Sequence, residues 1–389
     1  MWTLIANIAT FFNVVSVAVV LTAIPTQAKT KTFVYVSNAE DGDIDGYLMD
    51  EASGRLTPLV KTAAGRLVMP MTLSPDKRFL YAAVRSKPYT VNTYAIDPAT
   101  GALKLAAKTP PLADNKVHLS TDATGRYMFS ASIAGHNISV SALSATGLAE
   151  TEPFQVIPFS DRAHCILADR SNRFVYAINF GEAKINQYRF NADNGQLTPN
   201  DPAAIGAGSG PRLMTLSPDN KFLYLLDQVS GYVTQFAIDP TKGTLTKVGD
   251  TPSVPSELGL QPGIMKANGG EAISSFEDEG GVPHIWASDI HITPDGRFLY
   301  ATERRSNRIL LLSIAPRTGK TTYVANFETE KQPRAIGIDP SGKYLVASGE
   351  KSDHLSVYRI GKADGRLSLV DRFPGGKGAN WVEIVNIPQ

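Results

Sequence analysis

The 389-residue sequence has one cysteine, Cys165, so no intrachain disulfide can contribute to stability. That thiol stands between His164 and the apolar Ile166-Leu167, which reads as a buried structural cysteine rather than a nucleophile. Charge is also sparse: charged residues make up 19% of the chain and the formal net charge is +1. This excludes a field strong enough to make nucleic acid or an acidic lipid surface the main partner, so specificity has to come from a local site. The apolar run from Ile8 to Ile24 is short of the ~20 residues of a bilayer span. It is interrupted by Thr10, Asn13, Ser16 and Thr22 and ends at Pro25-Thr26-Gln27-Ala28, the pattern of a secretory signal with a small-residue cleavage site. No Lys or Arg precedes it, and an uncleaved anchor is the alternative. Residues 1–28 are read as a signal peptide and 29–389 as an exported protein, periplasmic or secreted, with no membrane span after cleavage. Short catalytic motifs are missing too: there is no Gly-x-Ser-x-Gly elbow, no phosphate-cradling glycine loop, no His-Glu-x-x-His and no paired Cys for zinc. Any chemistry must be assembled from distant parts of the chain.

Glycine (32) and proline (25) are plentiful and spread along the sequence, as many short strands joined by tight turns require. One phrase recurs, first as Leu73-Ser74-Pro75-Asp76-Lys77-Arg78-Phe79-Leu80-Tyr81 and again as Leu216-Ser217-Pro218-Asp219-Asn220-Lys221-Phe222-Leu223-Tyr224. Weaker copies run from Asp122 to Phe129, Asp169 to Tyr176, Thr293 to Tyr300 and Asp339 to Val346, and a headless first copy ends in Phe33-Val34-Tyr35. Their last positions, 35, 81, 129, 176, 224, 300 and 346, are spaced by 46, 48, 47, 48, 76 and 46 residues. A period near 47 is the size of a propeller blade. Each unit supplies a strand, a turn and a second strand such as Arg78 to Val84; a third strand follows (Val91 to Ile96), then an Asp-Pro-x-x-Gly turn (Asp97 to Gly101) and a fourth strand starting Ala102-Leu103. The expected fold is all-β, a seven-bladed β-propeller with four-stranded blades. The first copy lacks its innermost strand and the chain ends on a spare one, Trp381 to Val385, so the C-terminal strand is expected to pair into blade 1 and close the ring. An open solenoid, the competing arrangement, has no use for split terminal strands. The 76-residue spacing marks an insertion, about 251–287, between blades 5 and 6. Its Glu277-Asp278-Glu279 stretch and its glycine pairs Gly269-Gly270 and Gly280-Gly281 suit a flap, while Trp286 and Ile264-Met265 suit packing.

In a propeller the inner strands and their connections line the central channel, which is where polar residues at repeated positions matter. His118 and His164 fall at equivalent inner-strand positions, and His291 shares one side of an alternating strand with Asp289 and Thr293. Arg212, Arg304 and Arg334 recur near the starts of blades. Singly, each such His reads more often as a structural hydrogen-bonding residue and each Arg as a surface residue.

The copies resemble the propeller-type 6-phosphogluconolactonases, a family that also includes fungal 3-carboxymuconate lactonizing enzymes. The resemblance covers nearly all of residues 33 to 387 and is closest in Ala287 to Arg297, in Gln332-Pro333-Arg334 to Tyr358 and in Gly210-Pro211-Arg212. It implies a reaction centre on one face of the channel with a His, two Arg and a Glu from successive blades. The His matches His164, acting as base, and the arginines match Arg212 and Arg304, stabilising the oxyanion. Gln228 stands where the family has Glu, and Leu213 where the family commonly has His. The missing carboxylate is assigned to Asp289, the alternatives being Asp227, Glu303, a His164 that works without one, or a lost or altered activity, and Gln228, His291, Arg334 and His118 are expected to bind substrate. The implied reaction is hydrolysis of a sugar lactone, 6-phosphogluconolactone or unphosphorylated glucono-1,5-lactone, to the aldonic acid, by a monomer acting on a small molecule with no metal or other cofactor. Export favours the unphosphorylated lactone. The alternatives are a non-catalytic ligand- or protein-binding propeller and a muconate-type lactonizing or isomerising enzyme, and whether Arg212, Arg304 and Arg334 converge on one pocket discriminates among them.

Overall fold

Each repeat phrase folds into a hairpin because its turn chemistry leaves the backbone little choice. Lys77, Gly125, Asn172, Asn220, Gly296 and Gly342 occupy the same turn position with φ between 59 and 73°. Glycine and asparagine enter that left-handed region most cheaply, which accounts for five of the six identities. A side-chain oxygen at the head of the turn then accepts the amide of the residue five further on, as Asp122 Oδ1 does from Tyr127, Asp169 Oδ1 from Phe174 and Ser74 Oγ from Phe79.

The computed structural model describes residues 30–263 and 281–389, together with Trp2. The segment read as a signal and the 264–280 part of the insertion, including Ile264-Met265, Gly269-Gly270, Glu277-Asp278-Glu279 and Gly280, lie outside the described residues. The strands assemble into seven sheets. Blade 2 is typical: Val68–Leu73, Phe79–Val84, Thr90–Ile96 and Leu103–Lys108 pair in sequence order, all antiparallel. In blade 1 the C-terminal strand Ala379–Pro388 takes the inner place beside Thr30–Asn38, in register from Thr30 opposite Pro388 to Asn38 opposite Ala379. The expected closure is therefore present, and it is longer at both ends than the sequence suggested. Blade 1 carries in addition a two-residue strand, Thr62–Ala63, on Asp43–Met49.

Adjacent blades pack through apolar faces and are joined by a repeated clasp. Tyr35 donates its hydroxyl hydrogen to the Gly101 carbonyl of the next blade, and Tyr81, Tyr127, Tyr176, Tyr224, Tyr300 and Tyr344 do the same to Gly147, Asp193, Gly243, Gly319, Gly365 and Ala52. The last of these leads from blade 7 back to blade 1. In blades 3 and 7 the tyrosine comes two residues earlier in its strand, where Tyr127 and Tyr344 precede Phe129 and Val346. At Gly101, with φ of 73°, a Cβ would lie 2.3 Å from the Phe33 ring, so the clasp turn demands glycine for both its backbone and its contact.

The described ends of the insertion are rooted beside the channel. Gly263 donates its amide hydrogen to the Val229 carbonyl, Gln261 bridges His284, and Ile285 is buried.

Candidate active site

In six of the seven blades the inner strand is irregular at its start. The register shifts between Val68 and Met71, Ala163 and Ile166, Pro211 and Leu213, Ala287 and Ile290, Pro333 and Ala335, and opposite Asn38 in the C-terminal strand. Such bulges re-aim side chains, and here they hold His164, Arg212, Ser288-Asp289 and Arg334 at one level of the ring. A second level comes from the residue immediately after the second strand, which is Arg85 in blade 2, Gln228 in blade 5, Arg304 in blade 6 and Glu350 in blade 7.

These two levels meet at one mouth of the channel. Arg212 donates from Nη1 to Gln228 Oε1 at 2.5 Å and from Nε to the Ser288 carbonyl at 2.9 Å. Glu350 pairs with Arg304 Nη1 at 3.5 Å and with Arg334 Nη1 at 3.4 Å, and accepts from Gln332 Nε2 at 2.9 Å. Arg304 lies over the Trp286 ring, 4.2 Å from its centroid, which ties the insertion to the site. Arg85 donates to the Met69 sulfur. Arg212 and Arg304 are 3% and 4% exposed, which corrects the reading of these arginines as surface residues: the bulge of blade 5 and the turn of blade 6 face the axis. Five buried polar atoms here have no hydrogen-bond partner among the described residues: Nδ1 of His164, Nε2 of Gln228 and Nε of Arg85, Arg304 and Arg334. Buried polar groups are normally paired, so such a concentration in one place marks a surface built for a polar ligand.

Electrostatics follow from burying like charges together. Burial, together with Arg304 and Arg334, holds Arg212 well below the ordinary guanidinium range. Burial likewise lowers Arg304 to about 9, despite Glu350, and lowers Arg85 to about 10 with help from Arg334. Guanidiniums stay protonated in proteins, so the depression records what this cluster costs the folded chain. His164 is driven well below the usual imidazole range by burial and then by Arg212 and Arg334, so it is neutral at pH 7. For Glu350 burial acts upward, but Arg334 and Arg304 outweigh it and keep the carboxyl ionised.

The other expected residues form a neighbouring group. Asp289 pairs with His291 Nε2 at 3.2 Å and accepts the amides of Ile336 and Ile290. His291 is raised, Asp289 outweighing burial. The His118 ring meets Trp381 edge-on at 6.0 Å, and burial lowers its pKa to about 4. Trp381 Nε1 donates to Glu383, whose carboxyl burial pushes up to about 7. His118 faces Ala131, the place at which the bulge of blade 4 sets both His164 and Cys165, so the two histidines correspond to within the one extra residue of that bulge. Cys165 is fully buried and pushed up to about 12 by burial, in keeping with a structural thiol.

Two alternative carboxylates are spent on turns. Asp227 accepts the amides of Ser209, Gly210, Val229 and Ser230, and Glu303 those of Trp286, Arg305 and Ser306. The mouth residues missed in the sequence are Arg85, Trp286 and Glu350. Aligning the residue after each second strand would have exposed Arg85 and Glu350 beside Gln228 and Arg304.

The family model described as "Lactonase, 7-bladed beta-propeller" matches residues 31–384. The 6-phosphogluconolactonase of Serratia proteamaculans is 34% identical over 358 residues, covering 91% of this chain and 99% of that protein. The 6-phosphogluconolactonase of Pectobacterium carotovorum subsp. carotovorum is 33% identical, covering 90% and 98%. Among solved structures, the periplasmic gluconolactonase PpgL of Pseudomonas aeruginosa superposes with a TM-score of 0.77 at 21% identity, covering 92% of this chain and all of that one, a likeness of fold.

Proposed function

Because the chain belongs to the seven-bladed β-propeller lactonase family, we propose that it hydrolyses a sugar lactone to the aldonic acid at the channel mouth. The observation that carries this reading is that Arg212, Arg304 and Arg334 of blades 5 to 7 all act on the His164 imidazole of blade 4, with unpartnered buried nitrogens on His164, Arg304 and Arg334. A water oxygen attacks the lactone carbonyl carbon while His164, kept neutral by burial and by the neighbouring arginines, accepts its proton. Arg212 and Arg304 stabilise the negative charge that forms on the carbonyl oxygen. The carbon to ring-oxygen bond then breaks, and the imidazolium returns its proton to the departing oxygen as a hydroxyl. Gln228 and Arg334 bind substrate, and Asp289, His291 and His118 support the site from the neighbouring group.

The surplus of positive charge, four arginines against the carboxylates of Glu350, Asp289 and Glu303, favours a lactone carrying an anionic group over the uncharged one that export alone suggests. The same surplus suits a carboxylated muconolactone, which is the second reading. Acid release from 6-phosphogluconolactone, glucono-1,5-lactone and a carboxymuconolactone, measured above the spontaneous rates, decides among them. The phosphorylated lactone is expected to be opened fastest; turnover of the uncharged lactone alone would refute the charge argument. We also retain export of the chain, a reading supported by the N-terminal pattern; the N-terminal sequence of the recovered protein tests it.

The low pKa of His164 has a direct kinetic consequence. A base works when deprotonated, and this one is protonated only well below pH 6.5, so kcat/KM for glucono-1,5-lactone should stay level from pH 8 to 6 and fall only at lower pH. The uncharged lactone avoids the phosphate titration near pH 6. An acid limb at or above 6.5 would remove His164 as the base.

A further inference from the structure

The reaction centre implied by the resemblance contains a glutamate, yet at its position stands Gln228, whose Oε1 accepts a hydrogen bond from Arg212 without bringing a charge. We propose that Glu350 is the carboxylate of this centre, moved by two blades to the same place in the repeat. The proposal rests on the lactonase reading above.

Three observations carry it. First, residues 228 and 350 are structurally equivalent: each directly follows the last residue of its second strand, Asp227 opposite Pro211 and Gly349 opposite Pro333, and each stands beside a bulged arginine, Arg212 or Arg334. Second, Glu350 reaches into the mouth from its turn, with its side chain 18% exposed, and its two oxygens divide between guanidiniums of two blades, Oε2 to Arg304 and Oε1 to Arg334. Third, the other acids near the mouth are spent elsewhere. Asp227 and Glu303 hold turn amides, and Asp289 holds His291 and the amides of Ile336 and Ile290.

Glu350 acts through the arginines and is a positioning residue. Bridging Arg304 and Arg334 fixes an oxyanion donor relative to a substrate-binding guanidinium and offsets one of the charges that repel one another at the mouth. Without it the guanidiniums separate. Anion binding survives, because the net positive charge rises, but alignment with the carbonyl oxygen is lost.

The test is a charge relocation measured on the whole protein with the anionic lactone. Glu350→Gln is expected to lower kcat roughly 10²-fold while KM stays level or falls, the loss being of the size seen when one oxyanion donor is misplaced. Adding Gln228→Glu in the same chain returns a carboxylate to the cluster and should restore at least about tenfold of that loss, which a merely structural role for Glu350 would not allow. Glu350→Gln within about threefold of wild type would overturn the proposal, as would a folded double variant no more active than the single one. If neither variant shows a cooperative melt, the role is structural and the proposal fails. Wild type that opens no lactone removes the functional reading and the proposal together, whereas an active wild type with an equally active Glu350→Gln removes the proposal alone.

Discussion

His164→Ala should lower kcat/KM for the lactone by roughly 10²- to 10⁴-fold, the range that a positioned proton acceptor contributes. His164 is 3% exposed, sits in the bulge of blade 4 and leaves Nδ1 without a partner among the described residues, so its removal deletes an unpaired polar atom rather than a network. Its packing contact is the Phe180 ring, 6.1 Å away between centroids. The melting temperature should therefore shift by only a few degrees while activity collapses. Stopped assays at several protein concentrations, each corrected for spontaneous opening, give the ratio. A variant within about threefold of wild type would leave the arginines as the whole catalytic apparatus.

Ending the chain at residue 378 should abolish cooperative folding. The deleted strand supplies the inner edge of blade 1 and buries Val382, Val385 and Ile387, each under 8% exposed. At about 1.5–3 kcal/mol for each fully buried apolar side chain, these three alone approach the 5–15 kcal/mol by which a domain is stable. The loss also leaves the inner edge of Thr30–Asn38 unpaired along its whole length, an open edge prone to aggregation. Thermal denaturation followed by circular dichroism, with the full chain alongside, gives the answer. A soluble truncated protein with a sharp transition would mean that six complete blades suffice.

The architecture was legible because its signals are local. A left-handed turn residue, an acid or hydroxyl at the turn head and an aromatic slot two residues into the next strand recur in the letters themselves, and the headless first copy announces how the ring closes. The site was legible only in part. His164, Arg212 and Arg304 could be carried over from family phrases, but the bulges that aim them leave no common residue signature, since the shifted positions read Met-Pro, His-Cys, Arg, Ser-Asp, Arg and Asn. Nor do the letters show that blade 4 sets two residues, His164 and Cys165, where blade 3 has His118 alone. Glu350 lies in Gly349-Glu350-Lys351-Ser352, a string indistinguishable from a solvated turn, and only the convergence of blades on an axis makes it interior. Arg85 escaped notice for the same reason.

The tyrosine clasps bear on how such an enzyme changes its substrate. Seven bonds, each reaching from one blade to the next and the last returning to the first, make a hoop with one permitted circumference. The bore cannot widen for a larger lactone or tighten around a smaller one without breaking several clasps together. Selectivity is therefore written in the side chains that rim the bore, one or two from each blade, and can be rewritten one blade at a time while the wall stays as it is.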